Sequence, residues 1–114
     1  MDVPVLAIDT FVEQENIGPV SFIKIDVQGY EPAVCAGMER TLARNPGCVV
    51  SLEYMPEALH EQGYEPSRLV ESFEERGYRT YTILKGGKLQ AGAPKDLPDH
   101  GWADVLFAKG AALV

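Results

Sequence analysis

The chain has 114 residues, a formal net charge of −7, and 46% apolar against 24% charged residues. That balance is ordinary for a folded domain and excludes disorder, while an acidic total with scattered Lys and Arg argues against a nucleic-acid groove or an anionic membrane surface as partner. The length sets a single domain over residues 1–114, and no apolar run approaches the roughly 20 residues of a membrane span.

Cys35 and Cys48 fall on different predicted elements, with no CxxC spacing and no matched His pair. They read as two buried free thiols rather than as a disulfide or a metal site, and the expectation is a cytoplasmic protein that holds no metal.

In chain order, Val3 to Ile8 has strand character, with Pro4 placing it at an edge or at its own first residue. Asp9-Thr10 offers a cap for a short helix that Ile17-Gly18-Pro19 closes. Ser21 to Val27 is the central strand. Ile23, Ile25 and Val27 share one face and Phe22, Lys24 and Asp26 the other, a pattern expected of a strand covered on both sides. A lysine inside such a strand needs a carboxylate, with Asp9, Glu31 and Glu53 as candidates. The chain then turns through Gly29 into a helix with Pro32 in its first turn. Val34, Met38 and Leu42, with Cys35 beside them, form its apolar stripe, and Asn45-Pro46-Gly47 stops it.

Cys48 to Tyr54 is a second strand, ending near Glu53. The helix between the two strands spans about three turns, as a right-handed β-α-β crossover requires. Asp26 and Glu53 are therefore expected to end neighbouring parallel strands at one sheet edge, where ligands collect in α/β proteins. Met55 to Glu65, polar and carrying His60, reads as a loop overhanging that edge. Pro66-Ser67 opens a helix with Leu69, Val70 and Phe73 inward. Gly77 is its left-handed cap, and Tyr78 is placed for the apolar contact that accompanies such a cap. Tyr78 to Leu84 alternates as a strand, Gly86-Gly87 turns it, and Lys88 to Gln90 is a short return. After a loop, Trp102 to Lys109 is the last strand.

Asp26, Glu31 and Glu53 thus gather with Gln28 and His60 near one edge. A carboxylate there can orient a substrate hydroxyl or accept its proton. Equally, Glu31 can cap its helix, Asp26 can bond turn N–H groups and Glu53 can pair with Lys24. No phosphate loop, HExxH, GxSxG or Cys/His nucleophile pattern is present.

The run KIDVQGYE, Lys24 to Glu31, resembles the KIDVEGxE signature of FkbM-family methyltransferases, with Gln28 in place of the usual Glu. Val3 to Asp9 is similar to the family's V-x-x-x-x-L-D, with Ile8 for Leu. Glu31, Val34, Cys35 and Gly37 stand against its E-x-x-V-L-x-G, and Glu53 and Gly77-Tyr78 follow in the right order. The resemblance spans residues 3–84. It implies a class I, Rossmann-like methyltransferase fold with a mostly parallel sheet, helices on both faces and a C-terminal antiparallel hairpin-like pair. It also implies methyl transfer from S-adenosylmethionine to a hydroxyl of a small molecule or glycan. Asp26, Glu31, Glu53 and His60 are then the catalytic candidates, and Val27, Gln28, Gly29 and Tyr30 lie beside cofactor and substrate. Gln28 lacks the charge a general base would need.

Nothing in the chain is similar to the family's glycine-rich cofactor loop or to the acidic residue that follows it. The resemblance is therefore to the C-terminal half. The expectation is that this chain alone neither binds S-adenosylmethionine nor transfers methyl groups, and that it forms a homo-oligomer through an uncovered strand edge. The alternatives are a non-enzymatic interaction or assembly module and an unrelated small α/β enzyme using Asp26, Glu53 and His60.

Overall fold

A computed structural model describes residues 8–25, 31–95, 97 and 101–109. The predicted strand from Val3 lies outside them up to Ala7, and Ile8 already belongs to the first helix, α1 (Ile8–Gln14). After it come β1 (Phe22–Ile25), α2 (Glu31–Ala36), α3 (Glu39–Arg44) and β2 (Val49–Tyr54). The chain continues through α4 (Pro56–Glu61), α5 (Pro66–Glu75), β3 (Arg79–Ile83), β4 (Leu89–Ala91) and β5 (Ala103–Ala108).

The five strands form one open sheet in the order β1-β2-β5-β3-β4. β1 and β2 are adjacent and parallel, as the crossover predicts, with Phe22 opposite Val49 and Ile25 opposite Leu52. The expected mostly parallel sheet is corrected, because the other three pairings are antiparallel. The reason is the last strand: β5 inserts between β2 and β3, so two strands that run the same way never touch. β3 and β4 make the predicted hairpin, with Gly86 and Gly87 at φ of 86° and 84° in its turn.

Opposed residues share a face, so the register sets Ile25, Val50, Leu52, Val105 and Phe107 on one side of the sheet. These join a single core cluster with Cys35, Met38, Leu42, Leu59, Leu69, Val70 and Phe73 of the helical segments. Phe73 stacks on Phe107 with ring centroids 4.0 Å apart, docking α5 on the central strand. The expectation of helices on both faces is not met among the described residues. Both crossovers step the same way across the sheet, and connections of one hand that do so lie on one face. In β1, accordingly, Ile25 is buried while Phe22 is 55% exposed. Lys24 is exposed too, so the desolvation cost that called for an internal ion pair does not arise.

The predicted three-turn helix is two short ones broken at Gly37-Met38, and Asp9 is what holds the break. Its backbone N–H donates to Gly37 O at 2.8 Å. Its carboxylate accepts from the Arg40 N–H at 3.0 Å, and from the Thr41 N–H and hydroxyl at 2.7 Å each. Asp9 caps α3 from another helix, supplying what Met38, with no side-chain cap of its own, does not. Asp9, read as part of a cap for α1, thus caps a helix some thirty residues on.

The segment expected to be loop around His60 contains α4. Pro56 sits in its first turn, and Gly63 (φ 75°) closes it, with Tyr64 N–H donating to Leu59 O at 2.9 Å. Gly77 (φ 90°) closes α5 in the same way, and the expected contact is present as an edge-on packing of Tyr78 against Phe73, 5.4 Å between centroids.

Candidate functional site

β1, β2 and β3 point their carboxyl ends to one edge of the sheet, and β5 starts there. Glu53, half-buried, is the penultimate residue of β2. Directly opposite it on β5 is Asp104, and opposite Asp104 on β3 is Ile83. Opposed residues share a face, so Glu53 and Asp104 stand next to each other across the ladder. Sequence reasoning missed Asp104. It lies far along the chain from Glu53, and only knowing that β5 pairs with β2 brings the two together.

The other predicted residues stand as follows. Asp26, Val27, Gln28, Gly29 and Tyr30 lie outside the described residues. Ile25, which precedes Asp26 in sequence, is opposite Leu52, which precedes Glu53. Glu31 is the first residue of α2. His60 is on the exposed side of α4, its Nε2 3.9 Å from Glu65 Oε2. Tyr54, at the end of β2, has its phenol pushed above its ordinary range, first by burial and then by the Glu65 charge.

At the same edge, a cleft of about 420 Å³ opens between the β3–β4 hairpin and the start of β5. Asp104, Trp102, Lys85, Lys95 and Gln90 are among its lining residues, and Trp102 is 53% exposed.

Cys35 and Cys48 are both buried thiols outside any disulfide, as expected. Burial pushes the Cys48 thiol up, away from the thiolate that a nucleophile or metal ligand requires. Among the described residues, no group of three or more His, Cys, Asp or Glu side chains is placed to hold a metal ion, and no helix is long and apolar enough to cross a membrane.

The glycines bear on the cofactor. Gly63 and Gly77 terminate helices, and Gly86 and Gly87 turn a hairpin. A nucleotide-type cofactor needs glycines that lead a strand into a helix, so that backbone can approach the ligand. These four do not fit that use.

An open α/β sheet whose first two strands are parallel and linked by a helical crossover defines the class of fold. Within that class the comparison with protein families is specific. The family model described as "Methyltransferase FkbM domain" matches residues 1–80, and the chain belongs to that family. No curated protein and no solved structure matches the chain.

Proposed function

We propose that this chain supplies the acceptor side of an S-adenosylmethionine-dependent O-methyltransferase and corresponds to the C-terminal half of the methyltransferase fold. The family match carries this reading, because it covers the segment from α1 through β2 to the start of β3, including the signature run and Glu53. When bound in such an enzyme, the cofactor supplies the methyl group. This chain's own part is to hold an acceptor hydroxyl at the carboxyl edge and take up its proton. Glu53 and Asp104 are the described carboxylates of that edge row, and Asp26, Glu31 and His60 are the further candidates that the sequence offers.

The chain alone does not bind the cofactor usefully. Turn and capping glycines in place of a cofactor loop support this, as does the lack of a glycine-rich strand-to-helix turn in the sequence. One or two remaining hydrogen bonds contribute roughly 1–3 kcal/mol, against several kcal/mol to order a small ligand, so affinity is millimolar or weaker. Isothermal titration of the chain with S-adenosylhomocysteine tests this. Saturable one-to-one binding at low micromolar concentration would overturn it. The protein acts as an oligomer, a reading favoured by an apolar side chain, Phe22, standing exposed on a strand that borders the described sheet.

A further inference from the structure

The cations of this chain are dispersed, but its carboxylates are not. From Arg76 to Lys95 there are five Lys and Arg and no Asp or Glu, whereas the remainder carries five cations and all 17 acids. This stretch is the β3–β4 hairpin with its flanks, so an acidic molecule has one basic lobe. Two of its lysines, Lys85 and Lys95, line the cleft at the carboxyl edge; Lys88, on the same hairpin, is not among the lining residues. Trp102, the chain's single tryptophan, and Leu84 line the same cleft, and both are exposed.

We propose that this cleft binds the methyl acceptor, and that the acceptor is a small anionic ligand built on a hydroxylated ring, the chemistry of a sugar phosphate or sugar acid. The proposal rests on the methyltransferase reading for the word acceptor and on the cleft alone for the ligand class. Each part of the lining selects against something. An inorganic anion would satisfy the two ammonium groups but leave the indole and Leu84 in water. A purely apolar ring would cover the indole but strip water from Lys85, Lys95 and Gln90 without replacing it. A ring with an apolar face, hydroxyls and one anionic group uses all of them. The indole takes the face, Gln90 and Asp104 take hydroxyls, and the lysines take the charge. A ligand held there has its hydroxyls beside Asp104, in the row that contains Glu53. The basic lobe also draws such an anion toward this edge of an otherwise acidic surface.

Trp102 reports on its own cleft, so the test is its fluorescence in the full chain, with no methyl donor present. Glucose 6-phosphate and glucuronate are titrated against glucose and inorganic phosphate. A saturable change with at least one of the two anionic sugars, at least about tenfold tighter than with glucose or phosphate, is the expected result, and which one responds separates phosphate from carboxylate. Lys85→Gln and Lys95→Gln each weaken binding about fivefold, while Lys88→Gln does not. These side chains are exposed, so each variant folds, which its thermal midpoint verifies. No saturable change with either anionic sugar, an equal response to glucose or phosphate, or an equal loss in Lys88→Gln overturns the proposal. Because no methyl group is transferred in this assay, failure of the methyltransferase reading leaves its outcome unaffected.

Discussion

The Asp9 carboxylate, carried on α1, accepts both the backbone N–H and the hydroxyl of Thr41 on α3, each at 2.7 Å. Asp9 is 4% and Thr41 2% exposed, so these bonds are made where water does not compete. Hydrogen bonds to a charged group contribute about 1.5–3 kcal/mol. Asp9→Asn keeps the shape but turns one acceptor into a donor facing N–H groups, and should cost about 2–3 kcal/mol. Thr41→Val, which removes only the hydroxyl, should cost about 1–2 kcal/mol. Thermal melts of both single variants and the double variant check this. The pair should be non-additive, since each substitution breaks the same bond.

Acid should undo the same contact. Burial alone would raise the Asp9 carboxyl, but the Thr41 hydroxyl, the Arg40 and Thr41 N–H groups and the Arg40 charge together hold it below its ordinary 3.8. A carboxyl lowered by folding adds stability that is fully present above the unfolded value and is lost as pH falls through the folded one. Wild type should therefore exceed Asp9→Asn in urea midpoint at neutral pH, and the gap should close as pH is taken well below 3.8. A gap that stayed constant would mean that Asp9 does not titrate with folding.

Tyr78 is 4% exposed, and its hydroxyl finds no hydrogen-bond partner among the described residues. A buried polar group left unpaired costs about 1–3 kcal/mol. Tyr78→Phe keeps the edge-on contact with Phe73 and removes that cost, so it should raise the urea midpoint or leave it unchanged. Loss of more than about 1 kcal/mol would show that the hydroxyl is bonded to ordered water.

Self-association has its own measurement. At high micromolar concentration, light scattering should give a mass above that of the 12.5 kDa chain. Phe22→Lys, placing a charge on the bordering strand as natural edges do, should shift it toward the monomer. A wild-type monomer at that concentration removes the proposal.

What could be read from the residues was mostly local. A glycine that follows a helical stripe, with an aromatic next to it, announces a helix end, and Gly77-Tyr78 forms one, with Gly77 at φ 90°. The stripe of Leu69, Val70 and Phe73 likewise needs only its spacing. What could not be read depends on partners far along the chain. Asp9 looks like a local cap, and only the packing of α1 against the α2–α3 break gives it Thr41. Pro56 and Gly63 look like loop punctuation, although the same two residues begin and end a helix whose Leu59 is wholly buried. The candidate site divides in the same way. Glu53 follows from a crossover whose length dictates parallel neighbours. Asp104 arrives on a strand whose place in the sheet is set by the order β2-β5-β3, which no motif encodes.

That order also bears on how the protein folds. Among the described strands β5 comes last in sequence, yet it lies in the middle of the sheet, with Val105 and Phe107 fully buried. Until residues 103–108 dock, β2 and β3 have no common neighbour, and both present bare hydrogen-bonding edges beside a half-built core. The family match ends at residue 80, within β3. A truncation there would keep the family signature and lose the strand that joins the two halves of the sheet. Assembly of the sheet thus waits on its central strand, and a chain in which β5 has not yet docked is the state most open to sticking and to proteases.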